Sequence, residues 1–272
     1  MLALVGYAAK TQHPVKASTG CANADMTAAS DHYAVVLDGV SGAPAPMTPE
    51  GLAQDMRDSL RYFLARRLAH GTDRDDFDAE VANFLNPSRV PTTPTAGLWL
   101  ENLIVMAGIF TESLGSTCMA VATIIGKKLT VYHLGDCVAM LFRYCSMLGV
   151  WRVAFRTVDH RVQMLDARGN SVIGPLQFTV YNDQHRTIEA LKQTVRQGTV
   201  QLVKDVRPGD VLMLFSDGVA DNATDEELCR ILSNSTPLDH ASIAHAVLAH
   251  CCRNGAPKPD DISVYVGTVF SQ

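Results

Sequence analysis

The feature that most constrains the fold is a block of short apolar runs in the middle of the chain. Four runs, at residues 116–125, 129–136, 137–144 and 150–157, are rich in β-branched and aromatic residues, and glycines punctuate the block. Runs of this length and composition are typical of β-strands. We predict that the four strands follow one another as an antiparallel meander.

Similar apolar runs predict strands outside this block, and apolar residues at spacings of three and four predict helices. The predicted strands cover residues 2–8, 32–39, 199–206, 210–218 and 261–270, and the predicted helices cover residues 49–70, 95–114, 187–196, 224–234 and 238–252. Residues 71–94 are acidic and then rich in Pro and Thr, so we predict an exposed connection there. The sequence contains no internal repeat and no inter-domain linker. We therefore predict one domain over residues 1–272, of the α+β class, with helices covering antiparallel sheets.

Charge and composition argue against several classes of protein. The net charge is −5 and no stretch is strongly basic, so we predict no nucleic-acid partner. No apolar run reaches the ~20 residues needed to cross a bilayer, so we predict no membrane association. The seven cysteines form no C-x-x-C pair, which indicates a reducing compartment. We expect the protein to be a monomer. We expect it in the cytoplasm, and the sequence leaves an organelle open as the alternative compartment.

Carboxylates stand where three predicted strands meet their turns. Asp38 follows the run AVVL, Asp217 follows VLMLFS, and Asp260 and Asp261 precede ISVYVGTVF. If these strand ends converge, two carboxylates ~5 Å apart repel each other by about 3 kcal/mol at an effective dielectric constant of 20. Divalent cations relieve such repulsion, and oxygen ligands without Cys or His favour Mg²⁺, Mn²⁺ or Ca²⁺ over zinc. A lone Asp-Gly pair is usually only a turn, and we interpret Asp210 in Pro-Gly-Asp as one.

Six motifs, in order along nearly the whole chain, resemble those of one enzyme family. They are VVLDGVSG at residues 35–42, LGSTCMAVATI at 114–124, LTVYHLGDCVAMLFR at 129–143, FRTVDH at 155–160, GDVLMLFSDGVADN at 209–222 and KPDDISVYV at 258–266. On these motifs the chain resembles the protein phosphatase 2C family, the metal-dependent protein phosphatases (PPM). The resemblance implies a four-layer α/β/β/α sandwich, in which helices flank two packed antiparallel sheets.

The resemblance also implies a set of metal ligands. Asp38 would bridge two Mg²⁺ or Mn²⁺ ions, and the carbonyl of Gly39 would bind one of them. Asp217 and Asp260 would bind the other ion. The implied activity is that of a protein serine/threonine phosphatase, which hydrolyses phosphoserine and phosphothreonine in protein substrates by attack of a metal-bridging water.

Three further aspartates match family positions around these ligands. Asp25, in the segment Asn-Ala-Asp, would contact metal-bound water. Asp136 and Asp221 match positions that bind a third, weaker ion in some members of the family.

Four positions depart from the family pattern or lack a clear role. The family often has Glu at position 24, where this chain has Ala24, and some members have a proposed general-acid His at position 40, where this chain has Val40. His160 is a loop residue by pattern, and we assign it no role beyond that of a candidate acid. No arginine lies close upstream of Asp25, so Lys16 is the only stand-in for a phosphate-binding arginine, with a solvated surface lysine as the alternative.

These departures leave a second function open. A pseudophosphatase would keep the fold as a regulatory binding module and would lose turnover, which the changes at positions 24 and 40 favour. Retention of the three strand-end aspartates favours an enzyme instead, because a dead enzyme has little need for a repelling carboxylate cluster. A Ca²⁺-binding structural domain is disfavoured because the chain has no EF-hand loop.

Overall fold

The computed structural model describes residues 1–40, 47–69, 74–86, 98–165, 170–236, 238–253 and 256–271. Its strands are β1 (Leu2–Gln12), β2 (Met26–Ser30), β3 (Tyr33–Gly39), β4 (Gly115–Ile125), β5 (Lys128–Leu134), β6 (Val138–Cys145), β7 (Val150–Arg156), β8 (Arg161–Leu165), β9 (Ser171–Pro175), β10 (Phe178–Val180), β11 (Thr199–Val203), β12 (Val211–Phe215) and β13 (Asp261–Ser271). Its helices are α1 (Pro14–Ala17), α2 (Pro49–Ala69), α3 (Arg74–Leu85), α4 (Leu98–Ile109), α5 (Ile188–Val195), α6 (Asp217–Ala220), α7 (Asp225–Asn234) and α8 (His240–Cys251).

The strands form two main antiparallel sheets. The first has the order β1-β13-β12-β6-β7, and the second has the order β11-β5-β4-β3-β2, with β10 added beside β4. Strands β8 and β9 pair only with each other. The ends of the chain meet in the first sheet, because β1 pairs along its whole length with β13.

Alternation along the strands divides the core into three apolar layers. In β3, Val35 and Leu37 pack against the helices α2 and α4, while Ala34 and Val36 point between the two sheets. The other outer layer lies between the first sheet and the helices α7 and α8. Successive side chains of a strand point to opposite faces of the sheet. Because these strands carry apolar residues on both faces, each sheet must be packed against another layer on both sides. The predicted α/β/β/α sandwich is confirmed.

The predicted meander is wrong in its middle. Strands β4 and β5 pair in the second sheet, whereas β6 and β7 pair in the first. The chain crosses from one sheet to the other through Gly135, whose φ of 91° is unfavourable for other residues. A Cβ atom at this position would also lie 2.5 Å from the sulfur of Cys118. This tight crossing fixes the position of the next residue, Asp136, at the junction between the two sheets.

The prediction of an exposed connection at residues 71–94 is wrong for residues 74–85, which form helix α3. Phe77, Val81 and Leu85 recur at a spacing of four and are buried. Arg67 of α2 links this helix to its neighbours. It forms a 2.7 Å ion pair with Asp78 of α3 and stacks on Trp99 of α4. The apolar stripe is present in the sequence, but the surrounding acidic residues obscure it. Residues 71–73 and 87–94 of the predicted connection lie outside the described residues.

The other predicted elements are present, with ends that differ from the predicted ones by up to about five residues, whereas α1, β2, β8, β9, β10 and α6 were not predicted. Residues 26–30 form β2 although the small residues there indicate a loop, and α6 begins at Asp217, inside the predicted strand 210–218. All seven cysteines are free thiols. Within the described part of the chain, no helix is both long enough and apolar enough to cross a membrane.

Candidate metal centre

The two sheets bring the strand-end aspartates to one place. Asp38 lies at the end of β3 in the second sheet, beside Cys118 of β4. In the first sheet the end of β12 lies next to the start of β13, so Asp217 and Asp260 are brought together by register. A hydrogen bond of 3.2 Å from the Ser216 amide to the Ser263 carbonyl continues that pairing beyond the strands. The site is therefore a product of how the sheets face each other.

These residues surround a cleft of about 480 Å³. The cleft contains the four predicted metal ligands together with Asp136 and Lys16. It is lined by Val15, Lys16, Thr19, Asp38, Gly39, Val40, Cys118, Asp136, Pro175, Gln177, Asp217, Pro259 and Asp260.

Three carboxylates in the cleft are close enough to share one cation. Oxygens of Asp38, Asp136 and Asp217 lie within 4.8 Å of one another. The pKa of Asp38 is raised well above its ordinary value, first by removal from water and then by the neighbouring charges of Asp25, Asp217 and Asp136. Burial raises the pKa of Asp217 to about 6, against a lowering by the ammonium of Lys258. Such shifts mean that these charges oppose one another until a cation neutralises them.

Asp25 lies behind the cleft and is fully buried. Neither of its carboxylate oxygens has a hydrogen-bond partner among the described residues. Burial raises its pKa to about 7, and the hydroxyls of Ser216 and Ser263 lie close enough to lower it but outside hydrogen-bonding geometry. A buried carboxylate without partners is costly, so this group needs a proton, a water or a cation.

Two lysines balance part of the negative charge. Lys16, which the sequence left open as a surface lysine, instead lines the cleft at 2.5 Å from Asp260 and 3.0 Å from Asp261. Lys258 donates to Asp217 and lies 3.1 Å from Asp260. Burial acts to raise the pKa of Asp260, but the hydrogen bonds from both lysines outweigh it and hold that pKa below its usual range.

The two remaining candidates lie outside the main cleft. Asp221 caps the end of α6 and lines an adjoining cleft of about 520 Å³, while its carboxylate lies 3.1 Å from Lys258. His160 stacks on His133 at 4.4 Å between ring centroids and hydrogen bonds to Thr199 at 2.8 Å. Its ring is therefore held by the second sheet, and it is absent from the described residues that line the cleft.

Sequence reasoning assigned no separate role to two charged residues of the site. Lys258 was only part of a recognised motif, and Asp261 was grouped with Asp260 as a carboxylate before the last strand. Asp261 accepts hydrogen bonds from the Ala24 amide at 3.0 Å and from Gln12 at 2.8 Å. It thereby ties the segment that carries Asp25 to the first sheet. The motif Lys-Pro-Asp-Asp was the available signal, because it puts a lysine two residues before a predicted metal ligand.

The donor set suits hard divalent cations. Side-chain oxygens converge from both sheets, and the described residues that line the cleft include no histidine and no deprotonated cysteine. Cys118 is the one sulfur there, and burial raises the pKa of its thiol well above the ordinary value. A protonated thiol is a poor ligand, whereas carboxylates suit Mg²⁺ and Mn²⁺.

Gly218 permits the close approach of α6 to β13. A Cβ atom there would lie 1.9 Å from the Asp261 carbonyl oxygen. We expect Gly218→Ala to lower the free energy of unfolding by about 3 kcal/mol, because a backbone atom cannot move aside as a side-chain tip can. Urea unfolding measures this loss. Gly126→Ala is the matched control, since Gly126 has a φ of 64° and open space around it, and we expect only the ~1 kcal/mol of left-handed strain. Equal losses in the two variants would contradict the close-contact argument.

The comparisons with known proteins agree with this fold. Residues 194–269, which include Asp217, Lys258 and Asp260, match the family described as Stage II sporulation protein E (SpoIIE). The photosystem II phosphatase PBCP has a solved structure that superposes with a TM-score of 0.65 at 23% identity, covering 97% of this chain and 98% of that chain. The chain has the 2C-type phosphatase fold. Among curated proteins, none matches it by sequence.

Two further structures share the 2C-type fold. The PPM Ser-Thr phosphatase MsPP from Mycobacterium smegmatis, in complex with cacodylate, has a TM-score of 0.57 at 16% identity, with 97% of each chain covered. The catalytic domain of the serine threonine phosphatase PstP, a Mycobacterium tuberculosis protein, has a TM-score of 0.56 at 18% identity over 100% of both chains. That structure of PstP holds two manganese ions. The TM-scores, not the identities, establish the likeness in fold.

Proposed function

We propose that this chain is a metal-dependent protein serine/threonine phosphatase that uses two Mg²⁺ or Mn²⁺ ions. The observation that carries the proposal is the convergence of Asp38, Asp136 and Asp217 from both sheets within 4.8 Å, in an open cleft. The structural relatives are phosphatases, and one of their structures holds two manganese ions, which supports the proposal. A buried carboxylate cluster is costly for stability, so its presence points to a role in binding cations.

The chain's own residues divide the work. Asp38 would hold both ions, and the carbonyl of Gly39 would hold the first of them. Asp217 and Asp260 would hold the second ion. When bound, such ions activate a water for attack on a phosphomonoester and neutralise charge on the phosphoryl oxygens. Asp25, buried behind Asp38, would orient that water.

Three further charged residues complete the assignment. Asp136 and Asp221 would hold a third, weaker ion. Lys16, which pairs with Asp260 and Asp261 in the cleft wall, would provide an ammonium group for a phosphoryl oxygen. Because the structural relatives MsPP and PstP are named serine/threonine phosphatases, we assign phosphoserine and phosphothreonine proteins as substrates.

The rival function is a pseudophosphatase. Ala24 favours it least, because that position is fully buried and its amide already bonds to Asp261. A glutamate there would need space that the fold fills otherwise, so the alanine has a structural reason. Val40 lines the cleft where some relatives have a histidine, and it is the departure that bears on turnover.

Hydrolysis of p-nitrophenyl phosphate separates the two functions. We expect turnover in millimolar Mn²⁺, its loss in EDTA, and its return when excess Mn²⁺ is added, because every assigned ligand is a hard oxygen. A phosphoserine peptide assayed by phosphate release provides the second substrate. Folded protein that hydrolyses neither substrate at any Mn²⁺ concentration would favour the pseudophosphatase, and full activity in EDTA would contradict the metal assignment.

A further inference from the structure

Lys258 lies among the carboxylates that we assign to the second ion. Its ammonium hydrogen bonds to Asp217 and lies 3.1 Å from both Asp221 and Asp260. One lysine thus contacts three carboxylates, and two of them are the residues assigned above to the second ion. A cation that binds these carboxylates must share them with Lys258 or displace it.

The backbone of Lys258 is anchored while its side chain is partly free. The Asn222 amide group receives a hydrogen bond from the Lys258 amide at 3.0 Å and donates one to its carbonyl at 2.7 Å. Asn222 also donates to the Gly218 carbonyl at 2.9 Å, which ties the loop to α6. The Lys258 side chain is 42% exposed, so it can leave the carboxylates without disturbing the loop.

The other half of the cleft has no such cation. Among the ion pairs of the described residues, neither Asp38 nor Asp136 has a lysine or arginine partner. A cation can therefore bind beside these two residues without breaking an ion pair. At Asp217 and Asp260 the same cation meets an ammonium already in place.

We propose that Lys258 is a built-in competitor for the second metal ion and makes the two ions bind with unequal affinity. This inference rests on the proposed function, and it adds that the lysine sets the metal concentration at which the second ion binds. Displacement costs the charge-assisted hydrogen bonds of Lys258, which are stronger than neutral ones. Partial exposure reduces that cost, since water screens the pairs and solvates the released ammonium.

Calorimetric titration of metal-free protein with MnCl₂ tests the competition without relying on activity. We expect wild-type protein to bind in two steps, and Lys258→Met to tighten the second step by about tenfold, or ~1.4 kcal/mol. The first step should change by less than about twofold. Asp260 keeps its contact with Lys16 in this variant, which supports its folding.

Two further variants make the outcome specific. Lys258→Arg keeps the positive charge and should leave the second step as weak as in wild type. Lys204→Met removes an exposed lysine that has no ion pair among the described residues, and it should change neither step. A second step that is unchanged or weaker in Lys258→Met would overturn the inference while leaving the proposed function intact. Folded wild-type protein that binds no Mn²⁺ would overturn both.

Discussion

An Asp38→Asn variant is expected to lose phosphatase activity by about 10³-fold or more, which is ~4 kcal/mol of transition-state stabilisation. Asp38 is the carboxylate that both ions would share, so its loss affects both at once. Asparagine keeps the shape and one oxygen but removes the charge. Initial rates with p-nitrophenyl phosphate at saturating Mn²⁺ measure the effect.

The same substitution should make the metal-free protein more stable, not less. Four other carboxylates raise the pKa of Asp38 after burial does, which means that its charge is unfavourable in the folded state. A thermal scan in EDTA should therefore show a higher Tm for Asp38→Asn than for wild type. Asp31→Asn is the matched control, because Asp31 lies in the turn at the opposite end of β3 and should retain both activity and Tm. Lost activity together with a lowered Tm would instead indicate misfolding.

The metal-free protein is expected to lose stability as the pH rises from 5 to 8. The pKa of Asp25 is raised to about 7, chiefly by burial, and that of Asp217 to about 6. Unfolding returns both groups to the ordinary range near 4, so the folded state binds more protons than the unfolded state across this window. Stability must then fall as pH increases, by an amount on the order of several kcal/mol at ~1.4 kcal/mol per pKa unit. Asp260 has a lowered pKa, and its contribution is lost only below about pH 4.

Urea unfolding in EDTA at several pH values between 5 and 8 measures this slope. Asp25→Asn should remove much of it and should stabilise the protein most at pH 8, because a neutral amide replaces a buried charge without hydrogen-bond partners. With Mn²⁺ present the slope should reverse, since cations bind the deprotonated carboxylates. A metal-free protein whose stability rises with pH would contradict the assigned pKa shifts, and Asp31→Asn again serves as the control.

Much of this site follows from the sequence for a physical reason. Asp38, Asp217 and Asp260 stand at strand ends, and aspartate is disfavoured inside strands, so their position already indicates a shared edge. The order of motifs then predicts the sandwich that brings the edges together. The four-layer arrangement was available only through that resemblance, because residues 33–37 of β3 are all apolar and do not show which face each side chain takes.

Other parts depend on contacts that no local pattern encodes. The crossing at Gly135 separates two hairpins that look continuous in sequence, and it is this crossing that gives Asp136 its place in the cleft. Lys258 becomes part of the site only because Asn222, 36 residues earlier, fixes its backbone. Helix α3 escaped prediction because three buried apolar residues are spaced within an otherwise acidic and polar segment.

Anomalous diffraction from crystals grown in Mn²⁺ tests most directly the central claim, that the strand-end carboxylates exist to hold divalent cations. We expect two manganese peaks in the cleft, both within about 2.0–2.4 Å of Asp38 oxygens, with the second beside Asp217 and Asp260. At low Mn²⁺ we expect the peak next to Lys258 to be the weaker one. Crystals that diffract well in millimolar Mn²⁺ and show no anomalous peak within reach of Asp38 would contradict the account.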